Sequence, residues 1–152
     1  MSVVATSLAA YISPKRVAFI PDGHSQRDTL IELAELAGEL WIPTQRSTFI
    51  KALFDREAVT TTAIGYGIAV PHARLTHLDL CTITVGIAPG GVAWNARDEK
   101  PAEVIVLIAA REDAPNEHLR LLAAVASLLR EPTRRAAILA ATTPEAVIAA
   151  MR

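Results

Sequence analysis

Residues 80–87 alternate cleanly along the chain. Cys81, Ile83, Val85 and Ile87 fall on one face and Thr82 and Thr84 on the other, the period of two expected of a strand. Val104-Ile105-Val106-Leu107-Ile108-Ala109-Ala110 shows no alternation, which predicts a central strand covered on both faces. Residues 64–70 read as a further extended segment, because Pro71 disfavours helix in the residue before it. Pro89-Gly90-Gly91 predicts a turn, and residues 92–95 a short edge strand after it. Helical spacing appears on both sides of this block. Leu30, Leu33, Ala37 and Leu40 recur behind a helix-start signal, Ser25 followed by Asp28. A second helix is expected to be capped by Thr44, with Phe49, Ile50 and Leu53 on its apolar side and Arg56 near its end. Beyond the strands, Asp113 or Asn116 caps a helix that carries Leu121, Leu122, Val125, Leu128 and Leu129 on one side. Pro132 interrupts it, and residues 133–141 and 144–151 read as two short helices, the last with Pro144 in its first turn. Helices, then strands, then helices predict a single-domain α/β sandwich over residues 1–152, with a central mixed β-sheet of about five strands flanked by helices.

Composition narrows this picture. The 152 residues suffice for one domain with a proper core, and with 51% hydrophobic but only 5% aromatic residues that core must rest on Leu, Ile, Val and Ala. Fifteen basic against 16 acidic side chains leave a formal charge of −1, so there is no electrostatic case for nucleic acid, nor a polybasic block for a membrane surface. A single cysteine, Cys81, excludes an internal disulfide and a multi-cysteine zinc site, and it reads as inert core. Residues 1–12 are mildly apolar but lack the basic start of a secretory signal. The longest aliphatic run is residues 104–110, well short of the roughly 20 residues of a membrane-spanning helix. The expectation is a soluble, cytoplasmic protein.

Candidate chemistry concentrates at Gly65-Tyr66-Gly67-Ile68-Ala69-Val70-Pro71-His72. An apolar run stops at a proline and the next residue is an imidazole. Gly65 and Gly67 lie where backbone could approach a bulky anion, and the threonines at 60–62 offer hydroxyl donors. A histidine held by a rigid X-Pro unit suits covalent or proton-transfer chemistry; the plainer reading is a histidine that ends a strand.

The stretch Thr61-Thr62-Ala63-Ile64-Gly65-Tyr66-Gly67-Ile68-Ala69-Val70-Pro71-His72 resembles the phosphohistidine motif of enzyme IIA of the bacterial phosphotransferase system, in its fructose/mannitol and nitrogen-regulatory type. Leu53-Phe54-Asp55-Arg56-Glu57 is similar to that family's Leu-x-x-Arg-Glu helix end, and His118-Leu119-Arg120-Leu121-Leu122 to its His-Leu-x-Leu-Leu segment. The three blocks occur in the family's order. Ala63 departs from the family's usual glycine, so a turn there must avoid left-handed geometry or accept strain. Tyr66 replaces the asparagine common in the nitrogen-regulatory branch.

The resemblance implies that His72 accepts a phosphoryl group from an HPr-type phosphocarrier. His118 would orient or polarise that group, Arg56 would offer a forked cation to its oxygens, and Thr62 with the amides around Gly65 and Gly67 would add phosphate contacts. It implies no metal or organic cofactor. Its partners would be the carrier, then either a IIB domain or regulated target proteins, with a homodimer left open. The lack of a fused IIB or transporter segment leans toward the regulatory type.

Other motifs are missing. His24 reads as part of a polar turn and His77 as part of a loop, each solvated, and no His-x-x-x-His pair occurs. There is no third glycine at dinucleotide-fold spacing, no phosphate loop and no Gly-x-Ser-x-Gly elbow. Two competing classes remain: a protein-binding module without phosphotransfer, against which His72, Arg56 and His118 argue together, and a metal-dependent hydrolase, which would need more clustered carboxylates and histidines.

Overall fold

The computed structural model describes residues 8–152; residues 1–7 of the mildly apolar N-terminal stretch lie outside the described residues. Six strands form one sheet: β1 (Val17–Phe19), β2 (Ala63–Gly65), β3 (Ile68–Ala69), β4 (His72–Leu75), β5 (Thr82–Val92) and β6 (Ala102–Arg111). The helices are α1 (Gln26–Ala37), α2 (Pro43–Val59), α3 (Pro115–Leu129), α4 (Pro132–Ala140) and α5 (Pro144–Ala150). The spatial order is β1-β5-β6-β3-β2, with β4 also on β6. Strands β5 and β6 are antiparallel, whereas β1 joins β5 and β3 and β4 join β6 in parallel, so the sheet is mixed as expected.

The unbroken apolar run of β6 has its expected place at the centre. Val104, Val106 and Ile108 pack with Leu121, Val125 and Leu129 of α3, Ile138 of α4 and Val147 of α5. Ile105, Leu107 and Ala109 point the other way, into a layer with Leu30 and Leu33 of α1 and Phe49 and Leu53 of α2. The sheet therefore carries two helices on one face and three on the other. Burial of whole Leu, Ile and Phe side chains on both faces, at about 1.5–3 kcal/mol each, holds the layers together.

Several local expectations are corrected. Helix α1 starts as read, with the Ser25 hydroxyl accepting the Asp28 N–H at 3.0 Å, but it ends at Ala37 with Gly38 as its C-cap. Leu40 lies beyond it, almost fully exposed. Thr44 does not cap α2. Ile42 precedes Pro43 at the first helical position, and the Gln45 side chain turns back to accept the Ile42 N–H at 3.2 Å. Helix α3 begins at Pro115 with no side-chain cap, so neither Asp113 nor Asn116 has the capping role. Residues 64–70 are a hairpin, not one strand: β2 and β3 pair antiparallel around Gly65, Tyr66 and Gly67, all at positive φ (90°, 60° and 76°). Glycine takes that geometry freely, whereas Tyr66 does so at a cost of about 1–2 kcal/mol. Ala63 is the first residue of β2 and is not among the positive-φ residues.

Pro89-Gly90-Gly91 makes no turn either. Strand β5 runs on to Val92 through an irregularity, pairing Ile87 with Val104 and Val92 with Ala102, so the predicted edge strand at 92–95 is only the end of β5. Strands β1 and β4 were not anticipated. β1 has only three residues, too few to show a period. Among the described residues, no helix is long and apolar enough to cross a membrane.

Candidate functional site

Strands β3 and β4 are two parts of one line along β6. Ile68 pairs with Val104 and His72 with Ile108, the same offset on either side of Pro71. Proline has no N–H to give a ladder, so the assigned strand breaks there, yet its carbonyl accepts the Ile108 N–H at 3.0 Å. Thus His72 opens a strand instead of ending one. Strand alternation then buries Ala73 and Leu75 against the α1/α2 layer and puts His72 and Arg74 together on the opposite face, toward α3.

The His72 ring lies 2.9 Å, through Nδ1, from the carbonyl oxygen of Val70. A carbonyl only accepts, so Nδ1 carries the hydrogen and, in the neutral ring, Nε2 keeps its lone pair. Partial burial lowers the His72 pKa below the usual imidazole value, offset by the Val70 bond and by Glu57, and reinforced by the charges of Arg56 and Arg74. At neutral pH the ring is an uncharged nucleophile with a defined tautomer.

His118 is the fourth residue of α3, and its backbone N–H closes the first helical turn onto Ala114 O at 3.2 Å. Its side chain is buried, not exposed, with a relative accessibility of 4%. The two imidazoles meet edge to face, ring centroids 5.1 Å apart and planes at 68°. Nδ1 of His118 accepts the Arg74 Nε–H at 3.5 Å, while its Nε2 is buried with no hydrogen-bond partner among the described residues. Burial first, then His72 and Arg74, push the His118 pKa down to about 4. The uncapped start of α3 is instead tied through Glu117, whose carboxylate accepts the Tyr11 hydroxyl and the Cys81 thiol, each at 3.0 Å. Burial and that bond push the Cys81 thiol up to about 11, which leaves it an unreactive packing group just before β5.

Arg56 lies in the last turn of α2 and donates from Nη1 to the Thr60 carbonyl at 2.9 Å. It is close enough to His72 for its charge to depress that pKa. Thr62 is differently employed than expected. Its hydroxyl donates to Glu57 Oε1 at 2.6 Å and accepts from Trp94 Nε1 at 3.2 Å, so its hydrogen is already committed. Gly65 and Gly67 are not brought to the histidine. Gly67 precedes Ile68, which pairs four residues along β6 from the partner of His72, a separation of about 13 Å at the strand rise. The nearest side-chain groups to their Cβ directions are the carboxylates of Asp98 and Glu103, a poor setting for an anion. Those glycines shape the hairpin.

Taken alone, the sequence gives no sign of Arg74 as a neighbour of His72, and none of Glu57 beyond its place in the helix-end motif. The signal for Arg74 was the i, i+2 spacing from His72, usable only once His72 is known to open a strand. His24 is paired with Glu32 at 3.3 Å, and exposed His77 sits in the turn after β4 with its carbonyl facing the Gln45 amide at 3.5 Å. No group of three His, Cys, Asp or Glu side chains that could hold a metal occurs among the described residues. The arrangement therefore offers an imidazole nucleophile, an adjacent buried N–H donor and two guanidinium groups.

Residues 10–152 match the family model described as "Phosphoenolpyruvate-dependent sugar phosphotransferase system, EIIA 2". The chain is 33% identical over 121 residues to the fructose-specific EIIABC component of Bacillus subtilis, covering 80% of this chain but 19% of that protein. It is 32% identical over 120 residues to the nitrogen regulatory protein of Bradyrhizobium diazoefficiens, covering 79% and 78% of the two chains. Among solved structures, it superposes on the nitrogen regulatory protein IIA-Ntr of Neisseria meningitidis with a TM-score of 0.87 at 23% identity, over 95% of this chain and 99% of that one. Mannitol IIA of Escherichia coli gives 0.76 at 18% identity, over 93% and 99%.

Proposed function

The chain belongs to the EIIA type 2 family of the phosphoenolpyruvate-dependent phosphotransferase system, and from that premise we propose that His72 is its phosphoryl acceptor, charged by an HPr-type carrier. The observation that carries this reading is the 2.9 Å contact between His72 Nδ1 and Val70 O, which leaves Nε2 as the free nucleophile. In the transfer step the Nε2 lone pair attacks the phosphorus of the carrier's phosphohistidine. The carrier's N–P bond breaks and its electron pair returns to the carrier imidazole. Nδ1–H stays on the Val70 carbonyl, which shares the positive charge that the His72 ring acquires. Onward transfer then expels a neutral imidazole, so the same hydrogen bond serves both directions. The rest is positioning and charge stabilisation: the unpartnered His118 Nε2–H is a donor for a phosphoryl oxygen, and Arg56 supplies a fixed positive charge.

The proposed role is that of the nitrogen-regulatory branch, in which phosphorylation state controls binding to target proteins in the cytoplasm. Similarity to a nitrogen regulatory protein over most of both chains supports it. The second reading, a sugar-specific IIA that passes the group to a IIB domain, is favoured by the 33% identity to the fructose-specific component. Incubation with phosphoenolpyruvate and the upstream carriers should yield an acid-labile, base-stable phosphate on His72. The phosphoryl group carries about −1.5 to −2 charges, partly offset by the positive charge of the His72 ring, so the patch becomes more negative and a regulated target should distinguish the two forms. Rapid loss of the label to a IIB domain would select the sugar-specific reading instead.

A further inference from the structure

Arg74 shares a strand face with His72, two residues along β4, and its Nε–H is directed at His118 Nδ1 at 3.5 Å. No other hydrogen bond of its guanidinium is found among the described residues, and the side chain is exposed, so nothing in the core requires an arginine here. A neutral imidazole has one N–H and one bare nitrogen. A guanidinium donates only and cannot accept. Facing Arg74, His118 must therefore leave Nδ1 bare and place its hydrogen on Nε2. That nitrogen is the buried one without a partner. In the other tautomer two donors would confront each other at Nδ1, and a lone pair would replace the N–H on the side left unpaired.

We infer that Arg74 is a positioning residue for phosphoryl transfer, which acts by fixing His118 as the Nε2–H tautomer and so turns a buried imidazole into a donor for the phosphoryl group on His72. The low His118 pKa is in keeping with this arrangement, because a neutral ring is what makes the tautomer matter. The part concerning transfer rests on the proposed phosphorylation of His72; the part concerning the tautomer does not.

The test compares Arg74→Met, which loses the donor, with Arg74→Gln, which keeps a neutral one. Nitrogen-15 chemical shifts of the His118 ring in the unphosphorylated protein report the tautomer directly. The wild type should show a bare Nδ1 and a protonated Nε2, Arg74→Met averaged shifts from a tautomer mixture, and Arg74→Gln, whose amide can donate or accept, shifts between the two. In single-turnover transfer from the phosphorylated carrier, Arg74→Met should be slower by about tenfold, the worth of one charge-assisted hydrogen bond, with Arg74→Gln slowed less. Unchanged His118 shifts in Arg74→Met, or a wild-type ring protonated on Nδ1, would overturn the inference. So would equal slowing in the two variants, which would make Arg74 a mere charge. If His72 takes up no phosphate at all, the shift comparison still decides the tautomer assignment while the functional reading fails separately.

Discussion

The Glu57 carboxylate accepts Thr62 twice, the backbone N–H at 2.7 Å and the hydroxyl at 2.6 Å. This clamp joins the last turn of α2, which carries Arg56, to the chain entering β2. Trp94 Nε1–H completes it from the buried side. Thr62→Val keeps the shape and leaves the indole N–H and one carboxylate oxygen without their partner. The variant should lose about 1–3 kcal/mol of stability, the cost of unsatisfied buried polar groups. In a Trp41→Phe background, the Trp94 emission should also shift, with His72 still able to take label. Unchanged stability with lost transfer would return Thr62 to direct phosphate contact.

Arg56→Lys should slow phosphoryl transfer while leaving the melt within about 0.5 kcal/mol, as expected of a substitution outside the core. Lysine keeps the charge but not the planar fork that can meet two phosphoryl oxygens at once. A large drop in stability with an unaltered single-turnover rate would make the Thr60 carbonyl contact the whole of its role.

The His118 pKa predicts a direction for stability against pH. It falls to about 4 in the folded chain from the ordinary 6.5. Between those values the unfolded chain binds the extra proton, so stability rises with pH across the window. This contribution is complete above pH 6.5 and declines progressively as pH falls toward 4. Urea titrations at several pH values should show that slope in the wild type and a flatter one in His118→Gln. Parallel slopes would mean that the ring is accessible to protons in the folded state.

His118→Ala should still accept phosphate on His72, because the Nε2 lone pair remains, but more slowly than the wild type, because the same donor that Arg74→Met weakens is gone. It should be slower in returning the group to unphosphorylated carrier, for lack of the N–H that steadies the oxygens as the N–P bond breaks. Pulse-labelling followed by removal of the donor measures this. Wild-type rates in both directions would leave His118 a packing residue.

Much of the scaffold could be read from the chain because its central strands carry strong patterns. The unbroken run of β6 and the alternation of β5 identify themselves, and Ser25 marks the start of α1 through a purely local bond. The failures have physical causes. Pro71 reads as a terminator in the sequence, because the loss of one N–H is visible there whereas the parallel partner β6, which lets the strand resume at His72, is more than thirty residues away. Without β4, Arg74 has no place beside His72. Gly65 and Gly67 lie close to His72 in the chain, but the line of β3 and β4 along β6 places them at the far end. His118 and Arg56 were legible only through the family motifs. Their approach to His72 depends on the packing of α3 and on the end of α2, which no local pattern encodes. Thr62 looked like a free donor because nothing in its neighbourhood reveals that Glu57 and Trp94 converge on it.

The most direct measurement is the site and linkage of the phosphate. The protein should be charged with phosphoenolpyruvate and its carriers, and the ring nitrogen bonded to phosphorus identified by nitrogen-15 and phosphorus-31 spectroscopy. The geometry of His72 and Val70 predicts one acid-labile, base-stable phosphate on His72 Nε2, absent from a folded His72→Ala and retained in His118→Ala. Phosphate on His72 Nδ1, label on another residue, or none in the wild type beside a competent carrier would contradict it.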